Sequence, residues 1–203
     1  MNLSDIINSV ILEFGYENYL ELGVMQGATF NGVVCNKKTS VDNGAGGGFF
    51  PYDYTMNTDD FFDKIAPTLD NKFDIIFIDA FHENEQTYKD TLNSLTYLKE
   101  GGVIITHDTL PSTEDQTHLG GQGTAYQSFI RFRCGRPDLK MFSVDLASES
   151  ETIEEVGIGF IKRGHQKLFN YKTPPKSWWE LYSQNKETLM NVIPLSDIIT
   201  TLK

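Results

Sequence analysis

The stretch that most constrains the fold of this chain runs from Lys72 to Pro111. It holds two short apolar runs rich in Ile and Val, Ile75–Ile78 and Val103–Thr106. Each is followed closely by an acid, Asp79 after the first and Asp108 after the second. A polar segment of helical spacing joins them. Asn84 is its expected N-cap, Tyr88, Leu92, Leu95 and Leu98 its apolar face, and Lys99 with Gly101-Gly102 its stop. Strand, helix and strand in this order make a parallel pair. Both acids then leave the same edge of a sheet, the edge where open α/β sheets bind ligands.

The chain before this stretch builds a neighbouring site. Leu3, Ile6, Ile7, Val10, Ile11 and Phe14 fall at helical spacing, with Ser4 as the expected cap and Gly15 as the stop. Tyr19–Leu22 reads as a buried strand, Gly23–Gly27 as a turn and Ala28–Asn36 as a helix carrying Cys35 on its apolar face. Thr39–Val41 is the second strand and Asp42 ends it. Asp42 stands 19 residues after Gly23, near the roughly 20 expected of an acid that binds ribose hydroxyls. The spacing Gly23-x-x-x-Gly27 puts Met25 where a dinucleotide site has its middle glycine, so a pyrophosphate is disfavoured. A nucleoside without pyrophosphate fits better, and S-adenosylmethionine is such a ligand. Its ribose would meet Asp42, and its cationic part would be favoured near Glu21. Close packing of helix on strand explains the two glycines equally well.

Asn43–Gly48 is a glycine-rich loop, either a cover over a ligand or a plain connection. Phe50–Met56 reads as a third strand. Thr58 is the expected cap of a helix that ends near Pro67, with Asp59 and Asp60 favourable in its first turn. An adenine contact from the Asn57–Asp59 turn is the functional alternative. Beyond Pro111, Ser112–Gly123 is a polar segment long enough for a lid, with His118 a surface residue inside it. A helix from Thr124 carries Tyr126, Phe129, Ile130 and Arg133 on one face. Leu139–Val144 and Val156–Lys162 form an antiparallel pair across the acidic segment Asp145–Glu155. A tail with Trp178, Trp179, Leu181 and Tyr182 ends in a helix near Leu195–Leu202.

Composition narrows the partners. The formal net charge is −11, which argues against nucleic acid and anionic membrane surfaces. Arg131, Arg133 and Arg136 are too few to reverse this and sit where a helix end favours cations. With 39% hydrophobic and 22% charged residues, the expectation is one globular domain over residues 1–203. It has an N-terminal helix at 1–15 and a helical tail at 165–203. Cys35 and Cys134 make no disulfide framework. The acidic N-terminus does not read as a signal peptide, and no apolar run nears the ~20 residues of a membrane span. A cytoplasmic setting is expected.

The segments ELGVMQG, Asp42, FDIIFIDAFHENEQTYKD and LKEGGVIITHDTLP resemble the class I S-adenosylmethionine-dependent methyltransferases. They are most similar to the small-molecule branch with an Ile-Asp-x-x-His segment after strand four and a His-Asp pair after strand five. The resemblance covers roughly residues 17–163. It implies a Rossmann-like, doubly wound α/β fold with helices on both faces. The sheet would be seven-stranded and mostly parallel, in order 3-2-1-4-5-7-6 with strand seven antiparallel. It implies S-adenosyl-L-methionine as cofactor, with Glu21, Gly23 and Gly27 in the methionine-side loop and Asp42 on the ribose. Thr58, Asp59 and Asp79 complete the expected cofactor set.

The implied reaction is transfer of a methyl group to a small polar acceptor, an oxygen of a sugar or secondary metabolite. His82, His107 and Asp108 are the candidate catalytic residues. Adjacent strands are about 4.8 Å apart, so Asp79 and Asp108 could share a Mg²⁺ or other divalent cation that acidifies the acceptor hydroxyl. A metal-free histidine base, or neither device, are the alternatives. The partners expected are the acceptor and, as an option, a second copy of the chain. Two rival functions are a non-catalytic binding domain on the same fold and a nicotinamide-dependent oxidoreductase, which Met25 disfavours.

Overall fold

The computed structural model describes residues 2–47, 50–118, 120–147, 157–171 and 176–203. Its seven-stranded mixed sheet has the order β3-β2-β1-β4-β5-β7-β6, as expected. The strands are β1 (Asn18–Leu22), β2 (Lys37–Asp42), β3 (Tyr54–Thr55), β4 (Phe73–Ile78), β5 (Leu98–Thr106), β6 (Leu139–Val144) and β7 (Ile158–Arg163). Pairings β1–β2, β1–β4 and β2–β3 are parallel, and β6–β7 is antiparallel. Val156, read as the first residue of the last strand, and most of Asp145–Glu155 lie outside the described residues. The residues fall into two compact units. Met1–Phe81 and Lys89–Ile105 make the first, and His82–Tyr88 and Thr106–Lys203 the second.

In the first unit every residue of β1 is buried, and β4 is buried except at Asp74. This matches their unbroken apolar character, the mark of strands covered on both faces. Helix α1 (Leu3–Phe14) buries Leu3, Ile6, Ile7, Val10 and Ile11. Its cap is Asn2, not Ser4. Asn2 accepts from the Asp5 amide while Asp5 accepts from the Asn2 amide, a reciprocal capping box. Gly15 ends the helix in the left-handed conformation at φ 64°.

Helix α2 is shorter than its periodicity predicts and stops at Gly32 (Ala28–Gly32). The cause is Asn8 of α1, which donates to the Gly32 carbonyl and accepts from the Val34 amide. Cys35 therefore lies past the helix and is half-buried, not on an apolar helical face. The third strand is also short, because the Asp53 carboxylate replaces ladder bonds by accepting from both the amide and hydroxyl of Ser40. Helix α3 (Thr58–Asp60) has Asn57, not Thr58, at its cap position. It continues through a π turn, Phe61–Ile65, and a 3-10 turn, Ala66–Thr68.

Helix α4 (Asn84–Tyr97) departs most from expectation. Its buried positions are Thr87, Asp90, Thr91, Ser94 and Leu95, while Leu92 is exposed. The face is turned about one position from the one the leucines mark, and it is mostly small and polar. Leu98 opens β5 instead of closing the helix, so the stop comes before Lys99.

In the second unit α5 (Ala125–Gly135) buries Tyr126, Phe129, Ile130 and Arg133, as their spacing predicts. Helix α6 (Trp178–Met190) begins at a Ser177 cap, and α7 (Ile198–Leu202) closes the chain. The edge of β6 is covered by the stretch after α6. The Ser143 amide donates to the Asn191 carbonyl, and the Ile193 amide to the Ser143 carbonyl. Arg133 is not a solvated helix-end cation. It is 7% exposed, and its Nε donates to the Leu189 carbonyl at 2.8 Å, with a further bond to the Gln166 side chain. Replacing it strands those acceptors in the core. Arg133→Met should lower stability by about 1–3 kcal/mol, read as a shift of the urea unfolding midpoint.

Candidate functional site

In the first unit the ends of β2, β1 and β4 meet at Gly23. The Gly23 amide donates to the Val41 carbonyl at 2.9 Å, and the Asp79 amide to the Leu22 carbonyl at 2.8 Å. Gly23 has φ +83°, and a Cβ there would lie 2.2 Å from the Asp79 carbonyl oxygen. Gly27 has φ +78°, and a Cβ there would lie 2.2 Å from the Phe50 ring. Both glycines therefore make room for protein atoms.

Asp42 holds the turn between them. Its Oδ2 accepts from the Val24 and Met25 amides at 2.8 and 2.9 Å, and its Oδ1 from the Gly44 amide at 2.6 Å. Met25 takes φ 50° there, a rare conformation for a side-chain-bearing residue. The Tyr52 hydroxyl donates to its carbonyl at 2.6 Å. A carboxylate offers about four lone-pair sites, so three of those on Asp42 already serve backbone.

Glu21 lies on β1 and is 1% exposed. The Tyr19 hydroxyl, two residues back on the same face, donates to it. Burial pushes the Glu21 carboxyl up to about 8. The Tyr19 bond opposes that rise, and the nearby Asp79 carboxylate adds to it. Lys38 lowers it, but the Lys38 ammonium is bonded to the Phe30 and Val33 carbonyls. Thr58 is buried, and Asp59 is paired with Lys89 at 3.4 Å. Asn57, whose Oδ1 accepts from Asn43, is exposed.

The second unit brings His82, His107 and Asp108 together. Asp108 is 6% exposed and adopts φ 54°. Its Oδ2 lies 2.8 Å from His82 Nδ1 and its Oδ1 lies 3.2 Å from His107 Nδ1. Burial alone would raise the Asp108 carboxyl. The imidazoles of His107 and His82 outweigh it and hold the carboxyl below its ordinary range. An ionised carboxylate only accepts, so the proton in this contact sits on His82 Nδ1, and the neutral ring has its lone pair on Nε2. The His82 side chain is 35% exposed, so that lone pair belongs to the more accessible imidazole. His107, at 17%, is more enclosed. His118 is exposed at the end of the 3-10 turn Glu114–Thr117, inside the polar segment.

Sequence reasoning missed five contributors to this geometry. Tyr19 was visible in principle, since strand alternation puts it on the face of Glu21. Phe50 and Tyr52, read as part of the third strand, lie before it and return onto the glycine turn. Gly123 and Thr124 touch the His82 backbone from 41 and 42 residues further along the chain.

Residues 20–109 match the family model described as a methyltransferase domain. The strand order is the one that the resemblance to class I methyltransferases implies. Three solved structures share the fold. An O-methyltransferase from Bacillus cereus in complex with SAH has a TM-score of 0.54 at 14% identity, over 81% of this chain and 82% of that one. Cofactor-bound Rv0187 from MTB has 0.53 at 14%, over 79% and 80%. The O-methyltransferase TomG from Streptomyces achromogenes, in complex with SAM, has 0.50 at 14%, over 79% and 78%. No curated protein matches the chain in sequence. No helix among the described residues is long and apolar enough to cross a membrane.

The buried Glu21 makes stability depend on pH. Its carboxyl titrates near its ordinary 4.5 when unfolded and near 8 when folded. Between those values the folded chain holds a proton that the unfolded chain has lost, so this contribution shrinks as pH rises towards 8. The melting temperature of the wild type should fall from pH 6 to pH 8.5 more steeply than that of Glu21→Gln. Parallel slopes in thermal unfolding would refute a protonated, buried Glu21.

Proposed function

We propose that the chain transfers a methyl group from S-adenosylmethionine to an oxygen of a small polar acceptor, a sugar or related metabolite, with His82 as general base. The observation that carries this is the 2.8 Å contact of His82 Nδ1 with the buried Asp108 carboxylate. In the neutral ring it makes Nε2 the basic nitrogen, on a partly exposed imidazole.

The cofactor supplies an activated methyl group on a sulfonium. The acceptor oxygen forms a bond to that carbon as the carbon–sulfur bond breaks, and the hydroxyl proton passes to His82 Nε2. Asp108 stabilises the resulting imidazolium. Orientation of the two reactants can contribute about 7–11 kcal/mol in favourable cases, and a positioned base on the order of 10²–10⁴-fold. On the cofactor side, Asp79 lies near Glu21, whose carboxyl would ionise beside a cationic ligand. Gly23 and Gly27 shape the turn, and Asp42 retains one acceptor position for a ribose hydroxyl. Thr58 and Asp59 stand where the adenine contact is proposed. The surface charge of −11 supports a small acceptor over a nucleic acid.

The residues also fit a divalent cation. Carboxylates and imidazole are ordinary ligands for one. Asp79 directly follows β4, and Asp108 closely follows its neighbour β5. They would hold the ion, which would acidify the acceptor hydroxyl in place of, or beside, His82.

Calorimetry with S-adenosylhomocysteine tests the cofactor assignment, and folded protein that binds none would remove it. In a screen of sugars and phenols with labelled cofactor, His82→Gln should lower kcat by roughly 10²–10⁴-fold while S-adenosylhomocysteine affinity holds. Turnover indifferent to a chelator would reject the cation.

A further inference from the structure

The His82 turn is gripped from a second side. Thr124 occupies the N-cap position of α5, where a threonine hydroxyl ordinarily accepts from the amides of its own first turn. Here it makes no such bond. Its Oγ1 accepts instead from the Asn84 amide at 2.8 Å, and its own amide donates to the His82 carbonyl at 2.7 Å. The amide and the hydroxyl of Thr124 are thus spent on the His82–Asn84 turn, at the expense of a cap usually worth about 1 kcal/mol.

Gly123 makes the approach possible. It has φ +64°, and a Cβ there would lie 2.2 Å from the His82 carbonyl oxygen and 2.8 Å from the His82 Cβ. Arg131, two turns further along α5, repeats the attachment. Its Nη1 lies 3.3 Å from Asn84 Oδ1 and 2.9 Å from Glu85 Oε1, and its guanidinium stacks 3.6 Å from the Tyr88 ring.

We propose that Thr124, with Gly123 giving access, is a positioning residue that fixes the backbone of His82 so that its Nδ1 meets Asp108. This rests on the reading of His82 as the base. The physical reason is that the hydrogen bond to Asp108 orients the imidazole only as well as the backbone that carries it is held. The two bonds to Thr124 hold that backbone, so the ring keeps one tautomer and one direction. The close fit at Gly123 extends the constraint to the end of the polar Ser112–Gly123 segment.

The test is long-range proton–nitrogen NMR of the four histidines in the full chain, with His82 assigned from the spectrum of His82→Gln. The wild type should show His82 as the single tautomer protonated on Nδ1. Thr124→Val keeps the size but loses the acceptor, and should show a mixture of tautomers. Thr124→Ser should restore the wild-type pattern. Asn84 is the first residue of α4, where proline is tolerated. Asn84→Pro therefore removes the same bond from the other side and serves if Thr124→Val does not fold. In turnover, Thr124→Val should lose about tenfold to a hundredfold in kcat with S-adenosylhomocysteine affinity unchanged. An unaltered His82 tautomer in Thr124→Val or in Asn84→Pro overturns the positioning role. The NMR result stands apart from the function: if His82→Gln keeps full turnover the base assignment fails, while the tautomer still decides what Thr124 does.

Discussion

The sheet edge depends on the closeness of two backbones, Gly23 and Asp79. With a Cβ at Gly23 only 2.2 Å from the Asp79 carbonyl oxygen, no other residue fits without moving β4 away from β1. That pairing is central, because β1 and β4 contribute the most deeply buried strands of the first unit. Two backbone bonds, Gly23 to Val41 and Asp79 to Leu22, tie the ends of three strands together there. The turn beyond can then be held by one carboxylate, Asp42, without further support from a ligand. A glycine that resembles a cofactor motif is thus explained first by strand packing, and any ligand uses a surface already built.

The same region carries a charge imbalance. A buried carboxylic acid, Glu21, faces Asp79 with the Tyr19 hydroxyl and the Phe30 backbone as direct partners. The Lys38 ammonium is turned to backbone carbonyls and over the Phe30 ring. Neutralising Glu21 with a proton is the cheaper solution in the absence of a cation. A cationic ligand would reverse that preference. This is why the methionine side of a sulfonium cofactor suits these residues better than a pyrophosphate, which would bring more negative charge.

Much of the fold was legible because its signals are local. Ile75–Ile78 and Val103–Thr106 announce buried strands by composition alone. Tyr126, Phe129, Ile130 and Arg133 announce one helical face, and all four are buried. The misreadings share a cause, which is tertiary contact overriding propensity. Asn8 ends α2 early from another helix, Asp53 substitutes for a strand ladder, and α4 turns its small polar side inwards and leaves Leu92 out. Within the candidate site, strand ends pointed to Asp79 and Asp108, and short sequence distance pointed to His82 and His107. Nothing local pointed to Thr124, because a threonine before a helix looks like an ordinary cap. Only the three-dimensional path shows its hydroxyl given to Asn84.

Asp108 shows how backbone and charge demands combine. Its φ of 54° costs most residues about 1–2 kcal/mol, and Asp and Asn tolerate it best. Conformation alone would favour asparagine as much as aspartate. The two differ in what they ask of His82. A carboxylate can only accept, which obliges Nδ1 to carry the proton and makes Nε2 the basic nitrogen of the neutral ring. An amide could also donate, and would permit the opposite tautomer. A hydrogen bond to a charged group is worth about 1.5–3 kcal/mol, enough to offset the backbone strain. Charge at residue 108, more than turn geometry, is therefore what selects aspartate, and it does so through the imidazole it orients.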